Sequence, residues 1–76
     1  MKVKVRWVDD LRVEVEVENE EWIKGVLKAF GVVNPTHYLR AWIDYVTGDA
    51  TVYQEEYLRS NEEAMSFLNS ITVIEE

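Results

Sequence analysis

The residues able to do acid–base or nucleophilic chemistry are few and scattered. His37 is the single imidazole, the one side chain whose ordinary pKa suits a general base near neutrality. The hydroxyl candidates Ser60, Ser66 and Ser70 fall beside a helix cap or inside a helix. Glu55 and Glu56 are adjacent, so on a strand they point to opposite faces and cannot share a proton. Glu55 would then lie on the core side, opposite Ala41, and a buried carboxylate there would mark a functional site. Asp9 and Asp10 form an acidic turn with only a weak claim on a hard cation. The three glycines, Gly25, Gly31 and Gly48, are too dispersed to form a phosphate loop. Without Cys there is neither a disulfide framework nor a thiolate zinc site. The expectation is a non-enzymatic chain with no catalytic residue, cofactor or metal.

What remains is surface. The chain has 76 residues, 47% of them hydrophobic, with three Trp and four Tyr. One domain of this size, residues 1–76, buries only about 60% of the surface its unfolded chain exposes. Burial against a partner is the natural supplement. The net charge of −7 with eight basic residues argues against unaided nucleic-acid binding, which depends on phosphate neutralisation. It is compatible with a basic protein partner. Absence of Cys fits a reducing, cytoplasmic setting, and 30% charged residues with a single Gln fits a thermophile's composition. "MKVKVRWVDD" alternates charged and apolar residues and is neither a signal nor a transit peptide, and no apolar run is long enough for a membrane span.

The elements that position this surface follow from periodicity. Residues 2–8 and 11–18 alternate with period two and read as strands. Setting Trp7 opposite Val13 places Arg6 by Glu14, Val5 by Val15, Lys4 by Glu16, Val3 by Val17 and Lys2 by Glu18. Apolar residues then meet apolar ones and cations meet carboxylates. Asn19, followed by Glu20 and Glu21, starts a helix. Its stripe of Trp22, Ile23, Val26, Leu27 and Phe30 reads as core, Gly31 ends it, and Gly25 on its flank reads as a close approach to the sheet.

Residues 34–60 admit two readings. Asn34-Pro35 resembles a helix cap and first position, with Tyr38, Leu39, Trp42, Ile43 and Val46 on one face. The favoured alternative is a hairpin turning at "TGD", with Ile43 opposite Tyr53 and Leu39 opposite Tyr57. In the hairpin, Tyr38, Trp42, Val46 and Leu58 line the second face of the sheet and form an interaction surface. Ser60 and Glu63 form an S-x-x-E capping box. The helix they start continues past Asn69 through Ile71 and Ile74, with a final strand at "ITVI" as the alternative. The fold class is α+β: an antiparallel sheet with two helices on one face, in the order β-β-α-β-β-α.

The segments "VEVENEEWIKGVLKAF" and "YLRSNEEAMSFLNSI", in the order strand, capped helix, hairpin, capped helix, resemble the small dimerisation subunit of the KEOPS complex. That complex installs threonylcarbamoyl on adenosine in transfer RNA. The resemblance covers residues 12–74, and its most specific piece is Leu68-Asn69-Ser70 after the capped start. It implies a non-catalytic subunit that forms a homodimer or pairs with a paralogue and binds the catalytic subunit through its helices. By position, Phe67, Leu68, Ile71 and Ile74, with Met65 beside them, belong to that interface, and Leu68→Glu should abolish binding while the fold survives. The N-terminal hairpin arm and the shorter last helix depart from the family pattern and fit a divergent paralogue. Two alternatives are a small acidic inhibitor mimicking nucleic acid and a LAGLIDADG-like half domain lacking the defining helix and its acidic metal ligands.

Overall fold

The computed structural model describes residues 2–9 and 12–75. Two strands, β1 (Lys2–Asp9) and β2 (Arg12–Val17), precede four helices, α1 (Glu20–Ala29), α2 (Pro35–Thr47), α3 (Val52–Arg59) and α4 (Glu62–Asn69). A last strand, β3 (Thr72–Glu75), completes a three-stranded mixed sheet of order β2-β1-β3. The class is α+β, but the sheet is not wholly antiparallel and the helices number four.

The β1–β2 register is the one the charge and apolar alternation demands. Val3 pairs with Val17, Lys4 with Glu16, Val5 with Val15, Arg6 with Glu14 and Trp7 with Val13. A one-residue slip would turn Val3, Val15 and Val17 to water. Val3 is fully buried, and Val15 and Val17 are half-buried against the core. The Lys/Arg/Glu row is exposed on the other face, where Arg6 and Glu14 stand 3.7 Å apart. The tip between the strands, with Asp10, lies outside the described residues.

Residues 35–59 form two helices, and the hairpin is overturned. The β-branched and aromatic residues lose to capping on both sides of Gly48. Asn34 Oδ1 accepts from the His37 N–H at 3.1 Å, Pro35 takes the first turn, and Gly48 closes α2 at φ 84°. A left-handed φ is cheap for glycine alone. Three residues later Thr51 and Gln54 form a reciprocal capping box, with bonds of 2.7 and 3.2 Å. Gln54 also donates to Asp44 Oδ2 at 2.8 Å, locking α3 to α2. The T-x-x-Q pattern was the sequence signal for this helix start. Glu55 therefore sits in the first turn of α3 and not in a sheet core. The strand, helix, hairpin, helix order that carried the family resemblance is not the observed order.

Two further boundaries move. The cap of α4 is Asn61, one residue beyond Ser60: its Oδ1 accepts from Ala64 N–H at 3.1 Å and its Nδ2 donates to the Phe30 carbonyl at 3.0 Å. The helix stops at Asn69, and residues 72–75 form β3, parallel to β1, with Val73 opposite Val3 and Ile74 opposite Lys4. Strand propensity and pairing with β1 prevail over a helical spacing that only Ile71 and Ile74 supported. Asn19 does precede α1, in a left-handed conformation (φ 57°), but its side chain makes no cap bond.

The core is centred on α2. Tyr38, Leu39, Ala41, Trp42 and Ile43 are buried with Ile23 and Leu27 of α1, Leu58 of α3, and Ala64 and Leu68 of α4. The Tyr38 hydroxyl donates to the Leu58 carbonyl at 2.6 Å and lies 3.1 Å from the Asn61 carbonyl. Burial raises the Tyr38 pKa above its ordinary 10.0, with the neighbouring Tyr57 adding to the shift, and burial raises Tyr57 as well.

Tyr38→Phe should cost about 0.5–1.5 kcal/mol, because the Leu58 carbonyl loses its shortest donor but keeps the Asn61 N–H at 3.3 Å; denaturant melts would measure it. Since the folded state holds the phenolic protons more tightly, their contribution is complete below about pH 10 and is lost as pH rises through the folded values. Alkaline unfolding followed by phenolate absorbance should therefore begin above about pH 10 and weaken in Tyr38→Phe. Gly25 is exposed in mid-α1, and a Cβ built there meets nothing within 4 Å. The expected close approach to the sheet is absent, so Gly25→Ala should stabilise the fold by roughly 1 kcal/mol.

Candidate protein-interaction surface

The apolar stripe of α1 is wider than the core beneath it. Ile23 and Leu27 are fully buried, whereas Trp22 is 55% exposed and Phe30 38% exposed. On α4, Ala64 and Leu68, one helical repeat apart, turn inward and are fully buried. That placement sets Phe67, the residue before Leu68, on the helix edge facing α1. Its ring centroid lies 5.9 Å from Trp22 and 6.1 Å from Phe30, at interplanar angles of 57° and 47°. The tilted geometry is the favourable one for aromatic pairs. Three aromatics from two helices thus form one partly solvated row.

Carboxylates flank the row. Glu20 and Glu21 open α1 beside Trp22, and Glu62 and Glu63 open α4, all exposed. A shallow depression of about 510 Å³ runs between Phe30, Phe67, Glu62, Glu63, Ser66 and Ser70. Lys24 is held by Glu21 at 2.9 Å. That hydrogen bond raises the Lys24 pKa, and the charges of Glu21 and Glu20 reinforce it. The depression is therefore apolar in its floor and anionic at its rim. Val52 and Tyr53, 70% and 84% exposed, stand apart on α3.

The residues named from the sequence divide between core and surface. Leu68 and Ile71 are core residues and Met65 and Phe67 are half-buried. Ile74 lies half-buried on β3, not on a helix. Tyr38, Trp42 and Leu58, expected on an open sheet face, are helical and buried, so they form no surface. Val46 is half-buried beside an open groove that it shares with Trp42, Asn69, Ile71 and Val73. The Trp42 indole donates to Asn69 Oδ1 at 2.9 Å across that groove. Trp22 and Phe30 were assigned to the core. The available signal was their number: five apolar residues within nine positions of α1 exceed what so small a core can cover.

Among the described residues, the groups with acid–base potential do not converge. His37 is exposed in the first turn of α2, its ring 5.3 Å from that of Tyr57. Ser60 and Ser70 donate to the carbonyls of Tyr57 and Phe67 in their own helices. Among the described residues, no three His, Asp or Glu side chains gather closely enough to hold a metal ion, and no helix is long and apolar enough to cross a membrane.

Comparison with protein-family models, with curated proteins and with solved structures found no match.

Leu68 now serves as the control for core against surface. Leu68→Glu should unfold the domain, and Leu68→Ala should cost about 2–5 kcal/mol. Trp22→Ala, at a half-exposed site, should cost much less. Thermal melts of the two alanine variants would check this ordering.

Proposed function

We propose that the chain is a non-catalytic interaction subunit that docks another protein on the aromatic row of Trp22, Phe30 and Phe67. The observation that carries this reading is the exposure of Trp22 and Phe30, each packed on the half-buried Phe67, beside an anionic rim. Aromatic residues in a desolvated centre supply most of the affinity at protein interfaces. Acidic rims steer basic partners and set specificity more than strength. The partner surface is accordingly apolar at its centre and basic around it.

The identity we assign to that partner rests on the resemblance of residues 15–30 and 57–71 to the KEOPS small subunit. Those two segments contain α1 and α4, the helices that carry the aromatic row. The partner is then the catalytic subunit of a cytoplasmic tRNA-modifying complex of that kind, with a second copy or a paralogous small subunit completing the assembly. The contact residues differ from the earlier set: Phe67 and Met65 remain, Trp22 and Phe30 join them, and Leu68 and Ile71 serve the core.

Light scattering of the chain mixed with the KEOPS catalytic and small subunits tests both statements. A complex should form, and Trp22→Ala or Phe67→Ala should weaken it by about 30-fold, the equivalent of about 2 kcal/mol at a binding hot spot. Circular dichroism should be unchanged in these variants. Binding that ignores both variants and collapses with salt would instead indicate an acidic mimic recognised through its carboxylates. No complex with either subunit would remove the KEOPS assignment.

A further inference from the structure

β2 is an edge of the sheet. Among the described elements β1 is its one strand neighbour, so its outer side offers unpaired backbone N–H and C=O groups to a further strand. Its side chains are sorted by face. Glu14 and Glu16 are exposed on the face away from the helices, and Glu18 follows them. Val15 and Val17 turn to the helix side, where they are only half-buried, although Val3, opposite Val17 on β1, is fully buried. The helical layer therefore stops short of this edge, and apolar side chains of an added strand would cover both valines. The carboxylates are equally open. Arg6 comes no closer to Glu14 than 3.7 Å, with the two side chains 61% and 62% exposed. A shallow depression of about 340 Å³ lies there, lined by Lys4, Arg6, Glu14, Val15 and Glu16.

We propose that the β2 edge takes up a cationic strand of another protein, with Lys or Arg at alternate positions and β-branched apolar residues between them. β1 shows the pattern that fits. On its side of β2, Lys4 and Arg6 stand opposite Glu16 and Glu14, while Val3 and Val5 stand opposite Val17 and Val15. β2 presents the same alternation to its other side, because strand side chains project above and below the sheet and not toward one neighbour. A strand of the β1 pattern laid antiparallel there sets each cation by a carboxylate and each valine by a valine. In strand addition of this kind the backbone supplies affinity and the alternate side chains supply specificity. No described strand of a second copy matches. Its β1 is enclosed between β2 and β3, and its β3, Thr72–Glu75, holds no cation. Its β2 would bring carboxylates against carboxylates, a destabilising arrangement. That repulsion keeps a chain of net charge −7 from pairing with itself at this edge while leaving the edge open to a basic partner.

The edge uses β2 and not the helices that carry the aromatic row, so the inference stands apart from the functional reading. Its probe is a fluorescein-labelled peptide of sequence "KVKVRW", residues 2–7 of the chain itself, titrated with the protein at low ionic strength and followed by anisotropy. Submillimolar binding is expected. E14Q/E16Q should weaken it about tenfold through the loss of two cross-strand charge pairs, with an unchanged circular dichroism spectrum. E62Q/E63Q removes two carboxylates beside the aromatic row instead and should bind the peptide like wild type. Two further peptides, N-methylated at alternate residues along one backbone edge or the other, separate strand pairing from charge attraction. One of them should lose binding while the other keeps it. Absence of binding to the wild type would overturn the proposal. So would unweakened binding of both methylated peptides, or a response to E62Q/E63Q as large as that to E14Q/E16Q.

Discussion

The fold depends on the burial of two amphipathic aromatics of α2 with their polar atoms satisfied. Tyr38 and Trp42 are each 1% exposed, and each brings a donor into the interior. An unsatisfied donor there would cost much of what the ring gains by burial. The Tyr38 hydroxyl reaches the Leu58 and Asn61 carbonyls, at the junction of α3 and α4. The Trp42 indole reaches Asn69 at the end of α4. The two bonds therefore fix both ends of α4 relative to α2. With α4 held in this way, Ile71 turns into the core and β3 reaches β1.

That arrangement also explains why apolar surface is left outside. A core built around one thirteen-residue helix is filled by the inner residues of α1, α3 and α4. Ile23 and Leu27 take the places available to α1, and Ala64 and Leu68 those available to α4. Trp22, Phe30 and Phe67 are displaced to the rim, where they pack on one another. Asn61 holds the two helices in that relation by capping α4 while donating to the Phe30 carbonyl. The surface is thus a consequence of the core's size and is kept rigid by the core's own bonds. Rigidity matters for recognition, because a preordered aromatic row loses less entropy on binding.

The elements legible in the sequence were those whose signals are local. The β1–β2 register could be derived because side chains alternate with period two and charge pairs favour one alignment. The α1 start, Gly31 at its end and Asn34-Pro35 before α2 were all visible as termination chemistry. The segment on either side of Gly48 reads as a hairpin because Val52, Tyr53 and Tyr57 favour strands, whereas the Thr51–Gln54 capping box starts a helix there. Of the aromatic row, Phe67 enters the interface only through the family resemblance, while the α1 stripe reads Trp22 and Phe30 as core.

By itself the sequence determined an α+β class, the β1–β2 register, and the start and end of α1. Each follows from neighbours within a few residues or from composition. Only the tertiary structure decided that Leu68 is inside and Trp22 outside, and that Ile74 belongs to a strand parallel to β1. These are competitions between residues far apart in sequence for a limited interior. Periodicity marks which residues are able to be buried, and the volume of the core decides which of them are.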